Sequence, residues 1–466
     1  MSAFYADRCV RQRLAEFLGG ESLSRATAVY VTHTDGCDYD RGELHPPKEM
    51  EWFFERDLDI ARSLADTESH LLHLDLEYVN FDSPGESFVN PRRCFELQEP
   101  VVRVIEALLL EWGIRPLHIV TGQGHHFVWR IARTSRAAGE IGALCLSEEL
   151  TGLCMERLPP ALVGRITAAD QTFFFALALV LEFVAHRIKA EAAARSTLPV
   201  EVTAVHVGPR YQSQREMISI DLSEYGDPLH TRMVRLPFTN YRKPWVSGLA
   251  AALGIADKIP SFRTVPLHEI NITQALEIRH VEEAVLELAR RACVRIPLQE
   301  EGTARLISAY RASRLRSLHE DFYALGHGSP KDWAESYGKT ALDALPPCAR
   351  HLLDFPNDLL LKPAGMQLVT RCLLAQGWHP RHIAGLIRRK FEDPAYGWGV
   401  DWGDYAAAVR ADFYTRLFAC LHRAGIDRLV DLNCTSTQEK GFCFRPDGVS
   451  CSLGPSRQTL LHQLTP

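Results

Sequence analysis

From Leu71 to Val79 the chain reads LLHLDLEYV, and this alternation demands a strand. Leu72, Leu74, Leu76 and Tyr78 fall on one face, while His73, Asp75 and Glu77 fall on the other, because side chains alternate along extended backbone. A strand with a continuous apolar face needs a sheet around it and a second layer packed against that face. Asp75 and Glu77 then project side by side from a rigid element. Two carboxylates at i and i+2 offer the hard anionic oxygens that Mg²⁺ or Mn²⁺ bind. A half-exposed strand carrying two solvated acids reads the same way, so the pair needs support from elsewhere in the chain.

Two further segments bear on that choice. LHIVTGQGHHFVWRI reads as strand, tight turn and strand, with Gly122 and Gly124 supplying the permissive backbone. Phe127, Trp129 and Ile131 share one face after the turn, and His126 shares the other with Val128. His126 therefore emerges beside a glycine-rich backbone that a phosphate can approach, although the adjacent His125 competes for that role. MISIDL gives another short strand, with Ser219 and Asp221 opposite Ile218, Ile220 and Leu222. Gly226, Asp227 and Pro228 mark a turn, and the chain returns through Arg232, Arg235, Thr239, Arg242 and Lys243. A lone strand acid followed by a cationic return suits a metal ligand beside a phosphate clamp, and it equally suits a polar hairpin.

With VYVTH and VEVTAVHV as additional strands, and helical patterns over 49–65, 100–112 and 168–195, the first half predicts an α/β or α+β domain. The texture changes between 258 and 273, where Pro260 and Pro266 break the pattern. Beyond it helical periodicity dominates to about Ala424. The expected division is a mixed domain over 1–265, a helical linker over 266–340, and a helical domain over 341–466. The last forty residues read as loop-rich.

The longest apolar run, Phe173 to Val184, is interrupted by Glu182, so a buried helix is expected there and not a membrane span. No apolar leader opens the sequence, which points to a cytoplasmic protein with thiols or metal ligands in place of disulfides among its twelve cysteines. The net charge of −6 excludes a uniformly basic coat, yet arginines cluster at 305–316 and 381–389. Cys434, Cys443 and Cys451 fall within eighteen turn-rich residues, which core packing does not explain but a bound metal does. Cys348, after Pro346 and Pro347, is the candidate fourth ligand. Cys372 and Cys420 lie in helical patterns and suit a core, and Cys145 and Cys154 read as core or free thiols.

Taken in order, HLDLEY, TGQGHH and SIDL followed by RLPFTNYRK resemble the three motifs of the archaeo-eukaryotic primase superfamily, the primase-polymerases. These motifs are D-x-D/E, a glycine-rich G-x-H, and a hydrophobic-Asp with R-x-P-x-S-x-x-x-K. Here Glu77 replaces the second Asp, Thr239 the usual Ser, and Tyr241 a common His. The resemblance implies an α+β fold in which 1–265 is the catalytic domain, with an RRM-like core at about 20–265. Asp75, Glu77 and Asp221 would hold two Mg²⁺ or Mn²⁺ ions, and His126, Arg235, Thr239 and Lys243 would bind the incoming nucleoside triphosphate.

LPPCARHLL and GMQLVTRCLLAQGWHPRHIAGLI resemble the C-terminal domain of the large primase subunit over about 120 residues from Leu345. That resemblance implies a [4Fe–4S] cluster on Cys348, Cys434, Cys443 and Cys451, with a Cys₄ zinc site as the alternative. The activity so implied is DNA primase and polymerase action on a single-stranded DNA template, using ribo- or deoxynucleotides, with a helicase or other replication or defence proteins as partners. A gap-filling repair polymerase and a non-catalytic nucleic-acid-binding module are the rival readings.

Overall fold

The computed structural model describes residues 3–35, 38–39, 44–144, 147–205, 215–356, 362–396, 406–444 and 450–464. The chain is α+β, with two sheets in its first half and helices over the remainder. Six strands form the larger sheet, in the order β10 (Val265–Pro266), β5 (Leu117–Val120), β6 (Gly124–Ala132), β4 (Ser69–Asn80), β8 (Glu216–Asp221) and β7 (Val200–Val202). All neighbours are antiparallel except β7 and β8. The smaller sheet runs β2 (Asp38–Tyr39), β1 (Val31–Asp35), β3 (Ile60–Ser63) and β9 (Met233–Arg235).

The alternation in β4 is realised as expected. Leu72, Leu74 and Leu76 are fully buried, whereas Asp75 and Glu77 are only partly covered. Helices Pro91–Glu111 and Ala168–Ala192 pack together behind the sheet. The second is apolar around most of its circumference, which only an interior position tolerates. It is long and apolar enough to cross a membrane, and most of it is buried inside the protein. A capping box between Thr167 and Asp170 sets its start.

One expectation needs correction. The segment 266–340 is no mere linker, because it packs directly on the sheet. Trp129 donates its indole N–H to Thr303 at 3.2 Å, Arg130 donates to the Ile296 carbonyl at 2.9 Å, and buried Arg279 donates to the Thr121 carbonyl at 3.0 Å. One hydrophobic core therefore runs from the sheet-bearing half into the helical half. The last forty residues, loop-rich as expected, hold two short helices among those described, Cys434–Glu439 and Leu453–Leu464. Asn433 starts the first by accepting from the Ser436 N–H at 2.9 Å. Cys154 is a buried core thiol beside Leu150 and Val409, while Cys145 lies outside the described residues.

Candidate active site

Strand pairing brings the three motifs into one row. On β4, Asp75 sits directly opposite His126 of β6 on one side and Asp221 of β8 on the other, and Glu77 sits opposite Gly124 and Ser219. Residues so paired hold their Cβ atoms about 4.5–5.5 Å apart, so Asp75 and Asp221 are immediate neighbours. The Nε2 atom of His126 lies 3.5 Å from Asp75 Oδ1. This row resolves the ambiguity between the histidines. His126 faces the acids, whereas His125 lies on the opposite face, bonded to His118 at 2.8 Å and edge-on to Phe95.

Both glycines of the turn are required by crowding. A Cβ on Gly124 would stand 1.7 Å from the Leu76 carbonyl oxygen, and one on Gly122 would stand 2.3 Å from the Tyr241 ring. The turn is thereby pressed onto β4 and onto the cationic return. Gln123 at its tip accepts from Lys243 Nζ at 2.9 Å.

The smaller sheet supplies the cations. Arg235 pairs opposite Ala61 of β3, is anchored by Asp59 at 3.0 Å, and lies over the Tyr241 ring at 4.5 Å. A cavity of about 120 Å³ opens between the sheets, lined by His73, Asp75, His126, Asp221, Glu224 and Arg235 among others. Its size suits ions and part of a phosphate chain. A cavity of about 310 Å³ in the helical half, lined by Trp333, Trp378, Arg389 and Tyr396, holds no such row of acids.

Crowding of the acids shows in their titration. Burial, then Glu77 and Asp75, push Asp221 up to about 7. Burial pushes Asp75 up to about 6, with His73 opposing and Glu224 adding. Glu77 is raised by burial and by Asp75, against the pull of Lys243. Burial, then His73 and Arg235, hold His126 well below the usual imidazole range, so it is neutral. Three polar atoms at this spot, Asp75 Oδ1, His126 Nδ1 and His73 Nε2, are buried without a hydrogen-bond partner. Converging carboxylates that repel one another, with an orphaned oxygen among them, fit a site for hard divalent cations.

Sequence reasoning missed two members of this site. His73 lies in the same row, its ring 4.6 Å from that of His126, and it pairs with Glu224 at 2.9 Å. Glu224 sits in a short turn just after Asp221, where Ser223 donates to Asp221 through its N–H at 2.8 Å and its hydroxyl at 3.0 Å. The polar face of LLHLDLEYV signalled His73, but nothing local signalled its partner. Thr239, expected at the nucleotide, is fully buried and donates its hydroxyl to the Leu236 carbonyl at 2.8 Å. It holds the turn after β9, where Phe238 adopts a left-handed φ of 69°.

The cysteines expected at a metal centre lie in the helical half. Cys434 Sγ and Cys451 Sγ are 3.9 Å apart. Cys348 is buried at the start of helix Pro347–Asp354, its thiol pushed up to about 12 by burial and by the nearness of Cys451, with Cys443 also contributing. The His351 and Phe444 rings stack at 3.5 Å, fastening the Cys443 segment to that helix. Cys372, expected simply as core, is fully buried within electrostatic reach of Cys348 and Cys451. Elsewhere, among the described residues, the buried trio Glu182, His319 and Cys420 could hold a metal ion.

Compared with known protein families, curated proteins and solved structures, the chain matches none.

Proposed function

We propose that this chain is a metal-dependent nucleotidyltransferase of the primase-polymerase type, starting primers on single-stranded DNA and extending them. The observation that carries the reading is the row Asp221–Asp75–His126 across three adjacent strands, faced by Arg235 and Lys243. An RRM-like core and the primase motifs are the framework that the sequence suggests for it.

Asp75, Glu77 and Asp221 would hold two Mg²⁺ or Mn²⁺ ions, which when bound activate the 3′-hydroxyl and neutralise charge on the leaving pyrophosphate. Ser223 fixes the Asp221 carboxylate through two hydrogen bonds, leaving the remaining lone pairs for the ions. His126, neutral, can donate one hydrogen bond to a phosphate oxygen without competing for a metal's charge. Arg235 and Lys243 stabilise the anionic phosphates from the opposite wall, in positions set by Asp59 and Gln123. No covalent intermediate is needed.

Cys348, Cys434, Cys443 and Cys451 support a metal centre in the helical half, a [4Fe–4S] cluster or Zn²⁺. The 3.9 Å sulfur separation is close to the ~3.8 Å edge of a tetrahedron built on Zn–S bonds of ~2.3 Å. The approach of these thiols from three separate segments supports a bound centre, and the absorbance of anaerobically purified protein near ~400 nm distinguishes a cluster from zinc.

The test of function is direct. Unprimed single-stranded DNA, labelled NTPs or dNTPs and Mg²⁺ or Mn²⁺ should give product that Asp75→Ala and Glu77→Ala abolish. Product only on a supplied primer would favour the gap-filling polymerase. Synthesis that survives both substitutions would refute the assignment.

A further inference from the structure

Away from the candidate active site, four metal-ligating side chains meet in the interior. Glu182 and His186 lie one turn apart on helix Ala168–Ala192, so both face the same way. His319 comes from helix Arg314–Ala324 and Cys420 from helix Ala407–Arg423. All four are buried. The donor atoms of Glu182, His319 and Cys420 lie within 4.8 Å of one another, and His186 Nε2 lies 3.9 Å from Glu182 Oε1.

The hydrogen bonding here is anomalous for a protein interior. Glu182 Oε1, His186 Nε2 and His319 Nε2 are each buried without a hydrogen-bond partner. Yet His319 Nε2 stands 3.1 Å from Glu182 Oε1, an ordinary hydrogen-bond length. Two ligand atoms of one ion converge in this way.

The surroundings orient these groups as a metal's outer shell does. His319 Nδ1 is bonded to the Tyr310 hydroxyl at 2.9 Å, which fixes the ring and leaves Nε2 facing the cluster. Arg416 takes the other Glu182 oxygen, Oε2, at 3.0 Å and is itself tied to the Tyr323 hydroxyl at 2.9 Å.

We propose that Glu182, His186, His319 and Cys420 form a structural Zn²⁺ site that clasps the core helix of the catalytic half to two helices of the C-terminal half. A mixed carboxylate, imidazole and thiolate set is one that tetrahedral Zn²⁺ accepts, and four protein ligands close the site to substrate. One ion satisfies the three orphaned atoms together. Binding displaces the Cys420 proton to solvent as the thiolate forms. The site is separate from the carboxylate row and from the Cys348, Cys434, Cys443 and Cys451 group.

The experiment uses full-length protein loaded with Zn²⁺, dialysed against EDTA and analysed for metal by mass spectrometry. Cys420→Ser and His319→Gln, checked by circular dichroism for retained fold, should each carry one equivalent of Zn²⁺ less than the wild type. Folded variants that retain the wild-type metal content would overturn the proposal. Should both variants unfold, anomalous difference maps from wild-type crystals above and below the zinc absorption edge decide it. A peak among the four side chains supports the clasp, and its absence there refutes it.

Discussion

Replacing Asp221 with Asn should stabilise the metal-free protein while destroying its response to metal. Asp221 lies opposite Asp75 and near Glu77, and without cations these acids oppose one another's ionisation. Raising its pKa from 3.8 to about 7 corresponds to about 4 kcal/mol at 1.36 kcal/mol per pKa unit. The carboxylate is partly open to the cleft, so about 2 kcal/mol is expected after screening by solvent. Because the folded-state pKa is the higher one, the folded protein binds the extra proton. Its contribution to stability is complete below about pH 4 and lost as pH rises through about 7. Asn keeps an oxygen for the Ser223 N–H now bonded at 2.8 Å and carries no charge. Chemical denaturation in EDTA at pH 5 and pH 8 is the assay. Wild type should lose stability over that interval, and Asp221→Asn should lose about 1 kcal/mol less, since part of the contribution has already gone below pH 5. Mn²⁺ should then restore the wild type at pH 8 and leave the variant unchanged. A variant less stable than wild type in EDTA at pH 8, or equal stabilisation of both by Mn²⁺, would refute the reasoning.

Gly124→Ala should cost at least about 3 kcal/mol or prevent folding, since its Cβ would meet the Leu76 carbonyl at 1.7 Å and backbone cannot yield as a side chain can; a thermal melt of the soluble fraction checks it. Lys243→Ala should raise the nucleotide KM about 10- to 100-fold by removing a charge-assisted contact, and an unchanged KM would place the triphosphate elsewhere. Arg371→Met should cost about 3–5 kcal/mol, because Arg371 bonds buried Asp427 at 2.7 Å and buried Asp431 at 2.8 Å, and urea denaturation measures it. Arg371 and Lys440 hold Asp431 far below the ordinary carboxylate range against the push of burial. Its stabilising contribution is therefore present above about pH 4 and lost only as the medium becomes strongly acidic, a loss that Arg371→Met should move to higher pH.

What the sequence disclosed depended on how local each feature was. The alternation of LLHLDLEYV is written in nine consecutive residues, and burial alternates with it from Leu74 onward, while His73 on the polar face is buried as well. The glycines were legible as a turn, but their necessity lies in Leu76 and Tyr241, which the sequence does not place beside them. His73 was visible as a polar residue in the right row, whereas its bond to Glu224 joins residues 151 positions apart and has no local signature. Thr239 misled for a related reason. A hydroxyl in a cationic segment suggests a ligand contact, yet the chain there turns inward and needs that hydroxyl for its own backbone. The segment 266–340 looked like a separate helical stretch because amphipathic periodicity reports that a face is covered, not what covers it. The covering partner is the sheet, through Trp129 and Arg130.

The two sheets divide the electrostatic work of the site. The larger sheet presents acids, Asp75, Glu77 and Asp221, from its strands β4 and β8, and the smaller sheet with its return segment presents Arg235 and Lys243. Direct pairing across the cleft would cancel these charges and leave nothing to bind. Arg235 is held by Asp59 at 3.0 Å, and Lys243 by Gln123 at 2.9 Å. The acids keep an excess of negative charge that divalent ions can neutralise, and the opposite wall keeps a positive field for phosphates. If Asp59 and Gln123 serve to prevent that collapse, Asp59→Asn should let Arg235 swing toward Asp75. Mn²⁺ affinity would then fall about tenfold or more although no metal ligand has changed, which calorimetric titration can measure. An unaltered Mn²⁺ affinity would mean that β9 alone fixes Arg235 and that Asp59 does not hold the charges apart.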